Sequence, residues 1–206
     1  MTRLQSFVLL ALLAAPSWAQ DKSQSVASSP RATAPHAMSS PSPGTVADGV
    51  YRNPSFGFSY KLPYGWVDRT ADMQDDTASQ SRVLMAIFER PPQASGDTIN
   101  SVVVIAAESL SAGTTKTAAE YFDSLAGLAT AKGFQAEEES HEISVGTTRL
   151  VRGDFSKARG TLTIRQASLV LLQKGYAVSF TFIGGSADEV NELIERLNFA
   201  ARKSPH

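Results

Sequence analysis

The 206-residue chain contains no cysteine, only three histidines and no excess of either charge, with 19 Lys and Arg against 20 Asp and Glu. Without cysteine there can be no disulfide bond, thiolate metal site or cysteine nucleophile. A formal net charge of −1 argues against a polybasic protein that binds nucleic acid through its phosphates. The composition therefore excludes several kinds of chemistry and indicates no particular reaction.

Long apolar runs are also missing, apart from a short one near the N-terminus. Arg3 precedes nine apolar residues at positions 7–15, Pro16 follows them, and a small residue, Ala19, ends the segment. This order of basic, apolar and small residues is typical of a secretory signal peptide over residues 1–19. Nine apolar residues fall short of the ~20 that span a bilayer. We therefore expect an exported protein, periplasmic or secreted, whose mature form has no transmembrane segment.

The composition changes twice more along the chain. Residues 20–48 hold seven serines, four prolines and five alanines with no aromatic residue, which predicts a disordered linker in which His36 is solvated. Residues 49–200 carry 14 Lys and Arg against 18 Asp and Glu, a net charge of −4, and we expect one domain there. Residues 201–206 form a short basic tail. A domain of about 150 residues can bury a sufficient core without cross-links.

Alternating or continuous apolar residues predict strands in this domain. Phe56, Phe58 and Tyr60 alternate with small residues, and residues 83–89 and 101–107 are rich in β-branched or aromatic side chains. Three further segments are separated by short turns and predict an antiparallel meander. These segments are residues 149–155, 161–172 and 176–183.

Two segments have the spacing of helices that begin with a capping box. Residues 117–120 read Thr-Ala-Ala-Glu and residues 186–189 read Ser-Ala-Asp-Glu. Behind each box, apolar residues recur at helical spacing and predict a face that packs on a sheet. In the first helix these residues are Ala118, Tyr121, Phe122, Leu125 and Leu128, and in the second they are Val190, Leu193, Ile194 and Leu197. Gly133 is expected to end the first helix.

The segment at positions 51–67 resembles the opening of the PsbP-like superfamily. It combines the aromatic-Gly-aromatic strand of Phe56-Gly57-Phe58 with the sequence Leu-Pro-Tyr-Gly-Trp at 62–66. The C-terminal end is similar too, with an aromatic strand, a Gly-Gly-Ser turn, an amphipathic helix and then Phe199. The resemblance implies an α+β fold, an antiparallel β-sheet flanked by helices in an α/β/α sandwich. It also implies a non-catalytic accessory role, and no binding residue can be transferred from it.

The 62–66 motif itself predicts a tight corner followed by a core anchor. Pro63 fixes its own φ and Gly65 permits a positive φ. We expect Tyr64 and Trp66 to anchor this corner in the core, and the alternative is an exposed stacking platform for a ligand.

Ionisable residues cluster at two places, and neither pattern is typical of a catalytic site. Glu137, Glu139 and His141 would share one side of an extended segment and could form a weak surface cation site, but a solvated strand edge is the expected structure. The acids Asp68, Asp72, Asp75 and Asp76 lack the spacing of a calcium-binding loop, and we interpret them as a flexible acidic loop.

Acyl-transfer and phosphate-binding motifs are missing as well. No Gly-x-Ser-x-Gly elbow occurs, and the Gly184-Gly185-Ser186 turn lacks the lysine of a phosphate loop. We interpret that turn as the start of a helix. The sequence therefore predicts no catalytic, cofactor-binding or metal-binding residue, and it leaves the binding residues unassigned.

Three functions remain open at this stage. The first is an exported, non-enzymatic accessory domain that docks on a protein or envelope partner. The second is a carrier of a small apolar ligand held between the sheet and the helix at residues 121–128. The third is an unrecognised hydrolase with a cleft around His141 or the acidic loop.

Overall fold

The fold is taken from a computed structural model, which describes residues 41–74, 80–91, 97–111 and 117–199. The predicted signal peptide, most of the predicted linker including His36, the acids Asp75 and Asp76, and the C-terminal tail lie outside the described residues. No described helix is long and apolar enough to cross a membrane.

The described residues form twelve strands and two helices. The strands are β1 (Thr45–Ala47), β2 (Val50–Asn53), β3 (Phe58–Lys61), β4 (Val67–Asp68), β5 (Ser81–Phe88), β6 (Val102–Ser109), β7 (Gln135–Ala136), β8 (His141–Val145), β9 (Thr148–Arg159), β10 (Leu162–Gln173), β11 (Tyr176–Gly184) and β12 (Leu197–Phe199). The helices are α1 (Ala118–Ala131) and α2 (Ala187–Glu195). A single 3-10 turn spans Ala71–Met73.

These strands form two antiparallel sheets. The small sheet has the order β1-β2-β3-β12, and the large sheet has the order β4-β5-β6-β11-β10-β9-β7, with β8 also paired to β9. The predicted meander is confirmed, because β10 pairs with both β9 and β11 in antiparallel register. Lys174 and Gly175 both have positive φ in the turn between β10 and β11. The protein therefore has an α+β fold built mainly on antiparallel sheets.

Side chains on the two faces of the large sheet belong to different hydrophobic clusters. Val178, Phe180 and Phe182 of β11 share a cluster with the small sheet and with α2. Ala177, which directly precedes Val178, shares a cluster with Tyr121 and Phe122 of α1. Because successive strand residues point to opposite faces, the core is divided by the large sheet into two parts.

The predicted helix starts are confirmed, with one difference. Thr117 and Glu120 form the reciprocal capping box of α1, and Gly133, with φ +83°, follows its end. In α2 the Ser186 hydroxyl accepts from the backbone N–H of Glu189, as predicted. The Glu189 carboxylate instead accepts from the Gly185 N–H at 2.8 Å and from the Ser101 hydroxyl. The fully buried Ser101 hydroxyl competes for this carboxylate, and only half of the second capping box forms.

Ordered structure begins earlier than the predicted start of the domain at residue 49. Strand β1 lies within the segment predicted as linker and pairs with β2 through a turn in which Asp48 and Gly49 both have positive φ. All three β1 residues are exposed, so their composition carries no apolar pattern that would mark a strand. Backbone pairing with β2 holds this strand in place.

Candidate binding groove

A groove of about 390 Å³ opens between the small sheet and the outer edge of the large sheet. Its walls come from three places: the segment that leads into β1, the corner at residues 62–66, and strand β5. The lining residues are Pro43, Gly44, Thr45, Val46, Tyr51, Leu62, Pro63, Trp66, Asp68, Thr70, Leu84, Met85 and Ile87. Most of these side chains are apolar, so the groove can hold an apolar group.

One wall continues the inner face of the small sheet. Tyr60 lies opposite Tyr51, and Tyr51 lies opposite Val46, so the three side chains form a row on one face. Tyr60 and Tyr51 are buried against the large sheet, whereas Val46 is 55% exposed. The apolar face therefore extends beyond the part that the large sheet covers, and this uncovered end is the groove.

The opposite wall contains the bulged part of β5. The register between β5 and β6 shifts between Val83 and Met85. As a result Leu84 and Met85, which are neighbours in sequence, belong to the same cluster as Ile87. All three line the groove. A β-bulge redirects side chains in this way, and the sequence of an apolar strand does not reveal it.

The corner at residues 62–66 has the predicted backbone but not both predicted anchors. Gly65 has φ +80°, and Trp66 is partly buried against the core cluster. Tyr64 is fully exposed, with a relative exposure of 105%, so its expected place in the core is wrong. A tight corner turns the residue at its tip outward, and Tyr64 therefore stands at the rim while Trp66 lines the groove.

A buried tyrosine fixes the wall that precedes β1. The Tyr51 hydroxyl donates to the carbonyl oxygen of Pro43 at 2.5 Å. The Asn53 amide nitrogen donates to the Tyr51 hydroxyl and to the Ser42 carbonyl oxygen, both at 3.1 Å. Gly44 approaches the Tyr51 ring so closely that an added Cβ would lie 2.6 Å from the hydroxyl oxygen. These contacts hold residues 42–44 against the groove.

One end of the groove is polar. The Asp68 carboxylate accepts hydrogen bonds from the Thr70 hydroxyl at 2.6 Å and from the Thr70 N–H at 2.8 Å, both through Oδ1. The Thr70 hydroxyl in turn accepts from the N–H of Ala86 at 2.9 Å. Asp68 is exposed. It is the negatively charged residue of the lining, so a basic group at this end of a ligand would be complementary.

The ionisable residues singled out in the sequence do not come together. His141 is exposed at the start of β8, whereas Glu137 lies beyond the end of β7 and forms an ion pair with Arg165. Asp72 pairs with Arg69 at 2.9 Å. Within the described residues, no group of three His, Asp or Glu side chains could hold a metal ion.

The Gly184-Gly185-Ser186 turn is the start of α2, as predicted. Glu189 occupies the position where an anion would bind, because its carboxylate accepts the N–H of Gly185 at 2.8 Å. A Cβ on Gly184 would lie 3.0 Å from that same carboxylate. The turn is therefore closed by a side chain of the protein itself.

The space between α1 and the large sheet is filled by aromatic side chains. The rings of Phe122 and Phe155 stack with centroids 6.1 Å apart. Phe122 also lies directly over Gly153, where a Cβ would overlap its ring. The cavity that the carrier hypothesis expected at this helix is thus occupied by protein, and the groove lies on the opposite face of the sheet.

Burial raises the pKa of three tyrosines. Loss of solvent is the main cause for Tyr51, with the Asn53 hydrogen bond acting in the opposite direction on its pKa. Burial also raises the pKa of Tyr60, whose hydroxyl donates to the Leu193 carbonyl oxygen at 3.0 Å. The pKa of Tyr121 is raised by burial and then by the Glu108 carboxylate, 2.7 Å from its hydroxyl.

These shifts predict a loss of stability at alkaline pH. In the unfolded chain tyrosine ionises near pH 10, whereas the buried phenols stay neutral, so the unfolded state loses protons first. Their contribution is complete below about pH 10 and is lost as the pH rises above it. Urea unfolding midpoints at pH 8, 10 and 11 should fall progressively. The Tyr60→Phe variant should show a shallower decline, and an equal decline would assign the effect to other groups.

No family model matches the sequence, and no curated protein matches it either. Solved structures do match. The solution structure of the cyanobacterial PsbP protein CyanoP from Synechocystis aligns with a TM-score of 0.49 and 14% identity, over 73% of this chain and 91% of CyanoP. LpqN, which is involved in cell envelope biogenesis of Mycobacterium tuberculosis, aligns with a TM-score of 0.41 and 14% identity, over 70% of this chain and 83% of LpqN.

A Pseudomonas aeruginosa protein of unknown function, described as a putative regulator, aligns with a TM-score of 0.41 and 15% identity, over 75% of this chain and 97% of that protein. One of these structures is thus a PsbP protein, and the similarity is one of fold alone. In these three alignments the identity is at most 15% and the TM-score is below 0.5. The roles of these proteins therefore do not define a role for this chain.

Proposed function

We propose that this chain is an exported, non-enzymatic binding domain that docks on a protein partner through the groove. The observation that carries the proposal is the uncovered apolar end of the small sheet at Val46, which lines the groove together with Trp66 and Met85. An apolar surface of this kind, with an exposed tyrosine at its rim, is typical of interaction sites.

The occupant we propose is an extended segment of the partner protein. Among the strands that the structure describes, β1 pairs with β2 alone and is therefore an edge strand. A free edge can add another strand through main-chain hydrogen bonds, and alternate side chains of the added strand enter neighbouring pockets. An apolar side chain would enter between Val46 and Trp66, and a Lys or Arg would reach Asp68 at the polar end.

For the rest of the chain we propose the division into segments that the sequence predicts. Residues 1–19 are a signal peptide, residues 20–48 a linker with its last residues recruited into β1, residues 49–200 the domain and residues 201–206 a tail. We place the protein in the periplasm or outside the cell. We propose the α/β/α arrangement of PsbP-like domains for its layers, with no enzymatic activity, cofactor or nucleic acid partner.

A tryptophan fluorescence experiment tests the docking proposal. The chain has two tryptophans, and Trp18 lies within the proposed signal peptide, so the mature chain from residue 20 reports from the groove through Trp66 alone. Peptides of ten residues should be selected from a random library on this protein. We expect the bound peptides to alternate apolar residues with a Lys or Arg, and to change the Trp66 emission.

Matched variants on β1 separate the groove from the rest of the surface. Val46→Asp places a charge in the groove and should weaken peptide binding at least about tenfold, since one or two buried anchors dominate such interfaces. Ala47→Asp carries the same charge on the opposite face of the strand and should leave binding unchanged. An equal loss of peptide binding in both variants would contradict docking in the groove. Peptides that bind without any change in the Trp66 emission would contradict it as well.

A second function is favoured by the volume of the groove. About 390 Å³ lies within the roughly 300–1,000 Å³ of small-molecule sites. A carrier of a small apolar ligand would use the same walls without the β1 edge. In that case 1-anilinonaphthalene-8-sulfonate should quench Trp66 with saturation and compete with fatty acids, and no peptide should compete.

A further inference from the structure

The chain enters the folded domain along the wall of the groove. Pro43 and Gly44 both line the groove, and the Tyr51 hydroxyl holds the carbonyl oxygen of Pro43. Gly44 has φ +82°, a left-handed conformation that bends the chain just before β1. The predicted linker therefore joins the domain at the groove itself rather than at a distant point of the surface.

The segment ahead of this wall, which lies outside the described residues, carries an apolar side chain and a cation. Val26 and Met38 are the large aliphatic residues between positions 20 and 40, and Met38 is the one close to the groove wall in the chain. Residues 31–38 begin with Arg31 and contain no acid. Their composition thus complements a groove that has apolar walls and the carboxylate of Asp68 at one end.

The length of chain allows residues 31–38 to reach the groove. Met38 lies four residues ahead of Ser42, and Arg31 lies eleven residues ahead of it. Since an extended chain spans about 3.3–3.6 Å per residue, these distances correspond to at most roughly 13 Å and 36 Å. Positions 39–44 read Ser-Ser-Pro-Ser-Pro-Gly, which is rich in residues that favour chain reversal. A reversal there brings residues 31–38 alongside the free edge of β1.

Shape and tethering both favour such an internal occupant. Methionine fills irregular apolar gaps because it is unbranched, and its sulfur packs favourably against aromatic rings. The groove offers it the aromatic ring of Trp66 and the aliphatic side chain of Val46. A segment on a short tether faces its site at an effective concentration in the millimolar range, so weak contacts are sufficient to fill the groove.

We propose that residues 31–38 occupy the groove whenever no partner is bound. Met38 then packs beside Trp66, and Arg31 pairs with the Asp68 carboxylate. The inference rests on the proposed function, because it takes the groove as the docking site. A partner segment must displace residues 31–38 before it binds, so the protein regulates access to its own docking surface.

Disulfide formation tests this contact directly, because the chain contains no cysteine of its own. In the mature chain from residue 20, the pair Met38→Cys and Val46→Cys should form an internal disulfide at least about tenfold faster than the pair Met38→Cys and Ala47→Cys, since a disulfide requires adjacent Cβ atoms. The two loops differ by one residue, but Val46 and Ala47 point to opposite faces of β1. Equal rates would overturn the proposal. Disulfide-linked dimers in place of the internal bond would assign the groove to a second copy of the chain and would overturn it too.

Competition with the peptides selected on the groove separates this inference from the docking proposal. Met38→Asp removes the internal competitor, so these peptides should bind at least about threefold more tightly, and the Trp66 emission of the free chain should change. Ala37→Asp adds the same charge one position earlier and should leave both unchanged. If peptides bind in the groove and Met38→Asp does not alter their affinity, the internal contact is wrong and the docking proposal stands. If no peptide binds in the groove, the docking proposal fails, and the two disulfide rates still decide whether residues 31–38 lie there.

Discussion

Replacing Phe58 with alanine should lower the free energy of unfolding by about 3–5 kcal/mol. The Phe58 ring meets Phe180 of the large sheet edge-on, with centroids 5.1 Å apart. It also contacts Phe199 at 6.1 Å and Tyr51 at 5.9 Å. The ring therefore joins three strands of the small sheet to the large sheet, and its removal leaves a cavity that none of these strands can fill alone.

Chemical denaturation monitored by circular dichroism measures this effect. The exposed Tyr64 provides the control in the same segment, because Tyr64→Ala should change the free energy of unfolding by less than about 0.5 kcal/mol. For a domain of this size, the Phe58→Ala change corresponds to a fall of roughly 6–20 °C in the unfolding temperature. A loss below about 1 kcal/mol would show that the two sheets are not held together by this aromatic contact.

Replacing Gly153 with alanine should cost about 1–3 kcal/mol, even though the change is a single methyl group. A Cβ at this position would lie 2.8 Å from Cε1 of Phe122 and closer still to Cζ. Phe122 cannot move away easily, since it stacks on Phe155 beneath α1. The added methyl group must therefore displace the helix from the sheet.

A double-mutant cycle tests this cause. Phe122→Leu shortens the ring, so the double variant should be more stable than the sum of the two single losses predicts, by about 0.5–3 kcal/mol. Gly127→Ala is the matched control on α1, where a Cβ meets nothing within 4 Å. It should stabilise the protein by up to about 1 kcal/mol, because alanine favours the helix. Additive losses in the cycle would show that the cost of Gly153→Ala arises elsewhere.

The sequence was most informative where one local signal was enough. Thr117 and Glu120 gave the start of α1, and the apolar strands from residue 149 to residue 183 gave the meander. Capping depends on residues three positions apart, and hairpins depend on a turn between neighbouring strands. Both can be recognised without knowing the rest of the fold.

Local signals were misleading where two distant segments compete for one side chain. Glu189 has the correct spacing for a capping box, but it turns to Ser101, which lies 88 residues earlier in the chain. Tyr64 and Trp66 are both aromatic and two residues apart, yet one is exposed and the other lines the groove. Strand β1 has no apolar pattern and is held by β2.

The proposed groove could not be found from the sequence. The groove depends on Val46 lying beyond the edge of the large sheet and on a bulge that turns Met85 toward it. Position in a sheet is set by pairing between strands that are far apart in the chain, and periodicity within one strand does not report it.

The sequence by itself determined the absence of thiol chemistry, the expectation of an export signal, the α+β composition and the two amphipathic helices. Each of these depends on residue type and short-range spacing. The tertiary structure alone decided which apolar face stays uncovered and which side chains fill the space between α1 and the large sheet. Both depend on how the two sheets and α1 pack against one another. This packing joins segments that lie far apart in the sequence, so local residue patterns do not predict it.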